Sequence, residues 1–283
     1  MKLLVITSHE DDATCDRIVE EAQKKGMEAS KLFYEELAEM GSVAGKFDSC
    51  VIRYAYSGGK EYSAVLNSIM ESFDGKQLLS NEMLDRFPPD GKDFQHPQDK
   101  YFQHMFFKDV VRMPKFWHFN SVDEIKIDKF PVVVKERVSE KGRGVFVLES
   151  KEEVETFFKD KDINQHFFVE FVNIKKDIRV IVLNYKAVAA VRRNIRFKDN
   201  QGYKGIGVKV AEQFEIPEEM AQKAVEVAKK LGIEFCGLDF VIDENDEQYM
   251  LECNSSVAFT STERVLGMNI AESVVDLLIK KSA

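Results

Sequence analysis

A chain of 283 residues is too long for one small core and suits two or three subdomains around a shared cleft. Its 44% hydrophobic and 31% charged residues match an ordinary globular protein and exclude a disordered one. A formal net charge of −9 argues against a general phosphate-backbone binder, so no nucleic-acid partner is expected.

The N-terminal "MKLLVITSHEDD" passes from a short apolar run straight into acids, without the long apolar region of a secretory signal. Residues 2–8 read as a first strand. The four cysteines, Cys15, Cys50, Cys236 and Cys253, show no CxxC spacing, which predicts reduced thiols and a cytoplasmic protein. Residues 12–25 have amphipathic helical spacing and stop at Gly26, and "ASKLF" and "FDSCVIRY" read as strands. A helical stretch around 60–73 and a strand at "KQLLS" complete a βαβ-type unit that favours a parallel sheet. The segment "RFPPDGKDFQHPQDK", rich in Pro, Gly and Asp, marks a boundary and sets the first domain at 1–96.

Next, "DKYFQHMFFKDV" reads as a helix, and Ser121 with Glu124 and Ser150 with Glu153 are candidate capping boxes. Two strands, "PVVVKERV" and "GVFVLES", flank the turn "SEKGRG"; a helix through 158 and a strand "HFFVEFV" ending at Val172 complete a small α+β module, 97–172. The last module, 173–283, opens with strands "DIRVIVL" and "AVAAVRR" and a polar loop, "FKDNQGYKGIG". A helix is predicted over 218–231, with acids at its start, Lys229 and Lys230 at its end and Gly232 as its stop. Strands "FCGLDFVID" and "EQYMLECN" and a helix from about 270 to 280 follow. The longest apolar runs, "PVVV" and "VIVL", are far too short for a bilayer, so no membrane association is expected.

If "DEND" is a hairpin with a two-residue turn at Asn245 and Asp246, Asp239 lies directly opposite Glu252, and period-two alternation adds Asn254 to the same face. Facing carboxylates repel unless something positive sits between them. Three hard oxygen donors suit Mg2+, which with so few protein ligands keeps phosphate oxygens in its remaining positions. The alternative is a solvated hairpin face, although the apolar flanks argue for burial. Lys135 leaves an apolar strand just before Gly142 and Gly144, whose backbone could approach a phosphate; a plain hairpin turn is the alternative. Lys100 could be a solvated lysine, and Glu170 a surface glutamate or one at a strand edge whose backbone could hydrogen-bond a purine. Asp177 and Arg179 alternate on one strand face, and Arg192 and Arg193 end the next, which also suits a salt-bridge ladder.

Taken in order, from "QDKY" at 98 to "NIAES" near 273, these residues resemble the ATP-grasp superfamily and, within it, the RimK-like carboxylate–amine ligases. The resemblance implies an α/β (α+β) ATP-grasp fold, in which an N-terminal parallel βαβ domain precedes a central lid subdomain and a C-terminal subdomain with the Mg2+ site. It implies ATP and two Mg2+ ions. Lys100 and Lys135 would contact phosphates, and "SEKGRGV", with Ser139, Lys141, Gly142 and Gly144, would be the phosphate-covering loop. Glu170, Phe171 and Val172 would form the adenine hinge, Leu251 the floor under the base, and Asp177 would meet the ribose. Asp239, Glu252 and Asn254 would bind the metal.

The segment "RFKDN" resembles the family's Arg-Ser/Thr-Asn element, with Lys198 and Asp199 departing from it, and implies that Arg192 and Asn200 are the catalytic, phosphoryl- or substrate-contacting residues. The loop "NSSVAFTS" replaces the glutamate-ligase pattern Asn-Ala-Ser-Pro-Gly-Leu-Glu-Gly, and its Phe259 is closer to ligases that load an acidic carrier protein. The loop from Ser255 onward is expected at the substrate, as is Arg53 unless it is structural. The implied activity is ATP-dependent joining of an amino acid or peptide carboxylate to an amine. An ATP-binding module without turnover, a carrier-protein carboxylate, a different acceptor and an oligomeric state all stay open.

Overall fold

The computed structural model describes residues 1–7, 10–40, 43, 45–53, 73, 78–79, 99–139 and 142–282. All but the last residue of the helix expected at 60–73, most of the boundary segment and Lys141 lie outside the described residues.

The N-terminal part forms a parallel four-stranded sheet in the order β2-β1-β3-β4, from β1 (Lys2–Thr7), β2 (Glu28–Phe33), β3 (Ser49–Ile52) and β4 (Leu78–Leu79). Between the first two strands runs α1 (Ala13–Lys24), which starts where the Asp12 carboxylate accepts the N–H groups of Thr14 and Cys15. A short α2 (Tyr34–Met40) follows β2.

After α3 (Lys100–Phe107) come β5 (Phe116–Trp117), β6 (Val132–Glu136), β7 (Val145–Leu148), α4 (Lys151–Phe157) and β8 (His166–Glu170). Ser150 caps α4 by accepting the Glu153 N–H. The box at Ser121 opens a single 3-10 turn, in which Glu124 accepts the Asn120 N–H but the Ser121 hydroxyl makes no cap. The remainder holds β9 (Ile174–Leu183), β10 (Lys186–Asn200), β11 (Tyr203–Gln213), α5 (Glu218–Leu231), β12 (Phe235–Asp243), β13 (Gln248–Asn254), α6 (Thr260–Leu266) and α7 (Ile270–Ser282).

Strands β5 to β13 form one nine-stranded sheet, ordered β13-β12-β9-β10-β11-β7-β6-β8-β5. Residues 97–172 and 173–283 thus share a sheet, joined where Lys204 and Gly205 of β11 pair with Val147 and Phe146 of β7. The polar loop expected at 197–207 is instead the tip of a long β10–β11 hairpin. Ile195 and Phe197 alternate with polar residues, Ile206 and Val208 answer them on β11, and positive φ at Gln201 (56°) and Gly202 (83°) turns the chain.

A buried cluster joins the ends of the chain. Leu3, Val5, Cys15 and Ile18 pack with Ile181, Phe235, Val257, Phe259 and Val274. Among the described residues, no helix is long and apolar enough to cross a membrane.

Candidate active site

The hairpin of β12 and β13 turns differently from the sequence expectation yet reaches the same pairing. Asp243 pairs with Glu247 through its N–H, and Asp246 takes φ 61°, so the loop holds three residues, Glu244 to Asp246. The Asp243 side chain holds this loop by accepting the N–H groups of Asn245 and Glu247, both at 2.9 Å. A three-residue loop alone would set Asp239 opposite Leu251. A register shift after Asp239 restores the balance: Phe240 pairs with Met250 and Asp239 with Glu252, leaving Leu251 as the extra residue of a β-bulge. Leu251, Glu252 and Asn254 all line the cleft as a result.

That cleft has a volume of about 1380 Å3 and lies between the two halves of the large sheet. On the side of α3 and β6 stand Lys100, Lys135, Ser139 and Gly142; Glu170, Phe171 and Val172 edge it; Asp177, Arg179, Arg193 and Asp239 form its floor with β13. Lys100 Nζ donates to the Ser139 carbonyl at 2.7 Å and to its Oγ at 3.2 Å. Lys135 is buried, and this burial, with Lys100 nearby, pulls its ammonium down to about 8 against the opposing pull of Glu252 and Asp239. Strand β8 stops at Glu170, two residues short of the expected end. The Glu170 carboxylate accepts the Lys115 N–H at 2.8 Å and its own N–H bonds the Lys115 carbonyl, so Phe171 and Val172 leave the sheet at the rim of the cleft.

The floor is a row of charges set by cross-strand register. Arg179 on β9 is opposite Asp239 on β12, which is opposite Glu252 on β13, while Arg193 on β10 is opposite Asp177 on β9. Arg179 Nε and Nη2 reach Asp239 at 2.7 and 2.8 Å, Arg193 Nη1 reaches it at 3.0 Å, and Arg193 Nε also bonds Asp177. Burial raises the Asp239 carboxyl, but the two guanidiniums outweigh it and hold the group at about 2. Burial raises Asp177 to about 6, with the negative charge of Asp239 adding to Arg193's incomplete compensation.

These donors fit a hard cation. Asp239 Oδ2 accepts two guanidinium N–H groups and Oδ1 only one, so a lone pair remains on Oδ1. Asn254 Nδ2 donates to Glu252 Oε1 at 3.2 Å, which leaves the carboxamide oxygen as the atom to offer a cation. Among the described residues no group of three His, Cys, Asp or Glu side chains could hold a metal, so the candidate set is two carboxylates and a carboxamide.

Five expectations fall elsewhere. Arg192 points away from the cleft lining and pairs with Glu212 at 2.9 Å; Arg193 takes the buried place. Arg193 alternates with Ile195 and Phe197 on the cleft face and stands opposite Asp177 of β9, which leaves Arg192 on the other face. Asn200 lies at the hairpin tip and donates to the carbonyls of Arg143 and Val145. Gly144 serves the loop's own fold, since a Cβ there would lie 2.4 Å from Glu136 Oε2 and Ser139 Oγ. Beyond Asn254, the loop divides. Ser255, Ser256 and Ala258 line the cleft, whereas Phe259 is fully buried in the shared core. Arg53 is structural: at 1% exposure it donates from Nε to Asp12 at 2.8 Å and from Nη1 to the Val257 carbonyl at 2.7 Å.

Residues 117–278 match the RimK-like ATP-grasp domain family. The chain is 26% identical over 162 residues to human N-acetylaspartylglutamate synthase A, covering 55% of this chain and 40% of that one. It is 31% identical over 161 residues to a probable alpha-L-glutamate ligase of Legionella pneumophila (strain Corby), covering 54% and 51%. The match thus spans from two fifths to about half of these relatives' lengths. Among solved structures, the ATP-grasp ligase PsnB complexed with minimal precursor aligns with a TM-score of 0.75 at 17% identity, over 99% of both chains. D-alanine–D-alanine ligase from Bacillus anthracis aligns at 0.70 and 15%, over 100% of this chain and 97% of its own. These likenesses establish the fold.

Proposed function

Since the chain belongs to the RimK-like ATP-grasp family, we propose that it is an ATP-dependent ligase that couples an amino acid or peptide carboxylate to an amine. The observation that carries this reading is the facing pair Asp239 and Glu252, with Asn254 beside it, at the floor of a cleft whose lid side presents Lys100 and Lys135.

Asp239, Glu252 and Asn254 would hold Mg2+, which would supply charge neutralisation for the transferring phosphoryl group. Lys100 and Lys135 bind and orient the phosphates, and Phe171, Val172 and Leu251 offer the adenine an apolar seat at the rim. A carboxylate oxygen of the substrate attacks the γ-phosphorus, and the bond to the ADP oxygen breaks. The amine then attacks the acyl carbon of the resulting acyl phosphate, loses a proton, and expels inorganic phosphate. Positioning and electrostatics carry such a reaction, so no nucleophilic side chain is needed. Arg193, next to both Asp177 and Asp239, takes the phosphoryl- or substrate-contacting role that the resemblance implies for Arg192. The buried position of Phe259 withdraws the feature that pointed to a carrier-protein substrate. The four free, buried thiols support a cytoplasmic location.

Purified protein with MgATP and a panel of amino acids and short peptides should release ADP only when a carboxylate and an amine are both present. Asp239→Ala and Glu252→Ala should each lower that release by at least about a hundredfold, as for loss of a major electrostatic group. Full turnover in both variants would falsify the ligase reading. The rival, an ATP-binding module without turnover, draws on the guanidiniums that already occupy Asp239. Substrate-independent ATP binding without ADP release across the panel would establish it instead.

A further inference from the structure

The contact between the loop after β6 and the β10–β11 hairpin has geometry that phosphate binding does not explain. Asn200 Nδ2 donates to the Arg143 carbonyl at 2.8 Å and to the Val145 carbonyl at 3.1 Å, so both amide protons are spent on backbone at the exit of the Gly loop. Two glycines make room for this contact. A Cβ on Gly205 would lie 2.6 Å from Asn200 Cβ, and one on Gly142, at φ 68°, would lie 2.8 Å from the Ile206 carbonyl oxygen. The backbone bridge beside it is short, two residue pairs between β11 and β7. The opposite face of the same hairpin carries Ile195, Phe197 and Val208 into the cleft, with Phe197 and Val208 exposed.

We propose that Asn200 is a positioning residue, a latch that fastens the Gly loop to the hairpin so that phosphate cover and cleft wall move as one body. Its side chain then acts through the loop backbone and not on the phosphoryl group. The proposal rests on the ligase reading only for what the loop covers, because the latch itself is read without turnover.

The test is hydrogen exchange at the amides of residues 142–147 in the full chain, for Asn200→Ala, Asn200→Asp and Gly205→Ala, alongside steady-state ADP release. Loss of two hydrogen bonds should speed exchange there by on the order of tenfold in each variant. In all three, KM for ATP should rise by more than kcat falls. A direct contact of Asn200 with phosphate would leave exchange at residues 142–147 unchanged in the free protein, so the exchange readout separates a latch from such a contact. Wild-type exchange in the variants, with Asn200→Ala lowering kcat alone, overturns the proposal. If the protein shows no ligase activity, the exchange result still decides the latch, and melting temperatures within a few degrees of wild type show that the fold is kept.

Discussion

To bind phosphate as proposed, Lys135 must carry a positive charge where burial opposes it. Its ammonium titrates near 8 in the folded protein against 10.5 unfolded, so the free protein loses this charge as pH rises through 8. KM for ATP should therefore climb above pH 8, by up to about tenfold per unit if this charge controls binding. Lys135→Arg should remove the limb, and a flat KM up to pH 10 would contradict the assignment. Stability runs the other way. Between pH 8 and 10.5 the unfolded chain holds the proton that the folded one has released, so this group makes stability rise with pH. The carboxylates differ from one another in the same way. Asp177, raised to about 6, makes stability fall as pH rises from 3.8 to 6, whereas the contribution of Asp239 is lost as pH falls from 3.8 toward 2.

Two elements owe their shape to a single inserted residue or a missing side chain. The β-bulge at Leu251 corrects a three-residue turn so that Glu252 faces Asp239, and it turns Leu251 toward the cleft as well. On the neighbouring strand, Gly237 pairs with Asn254, and Val257 closes over it; a Cβ there would lie 2.6 Å from Val257 Cγ2. Gly237→Ala should therefore destabilise the protein by about 1–3 kcal/mol in urea denaturation, as overpacking does. It should also push the loop from Ser255 to Ala258 toward the cleft and raise KM for the carboxylate substrate. Unchanged stability and KM would show that this loop can yield without consequence.

At the scale of the molecule, the N-terminal sheet and the C-terminal strands share one apolar cluster, with Phe259 fully buried in it and Arg53 tying Asp12 to the Val257 carbonyl. A residue that sequence pattern places at the substrate thus secures the two ends of the chain. Phe259→Ala should cost about 3–5 kcal/mol. Denaturation followed by circular dichroism and by Trp117 fluorescence separates the possibilities. A cost of this size with the far-ultraviolet transition moving as a whole supports the shared core; a separate early step for the N-terminal part would contradict it.

Residue types and local periodicity determined much of this protein. The parallel N-terminal strands, the strands around "SEKGRG" and the α5 helix between Pro217 and Gly232 follow from short-range patterns, whereas the family resemblance singles out the two lysines. Those patterns act within a few residues, where alternation and capping dominate. What the tertiary structure decided was which side of a strand faces the cleft. Arg193 meets Asp177 across the sheet, Asn200 binds backbone of the loop after β6, and Phe259 enters the core shared with the N-terminal sheet, each through partners far along the chain. A one-residue shift inverts every side chain beyond it, and no window of sequence contains the strand that imposes that shift.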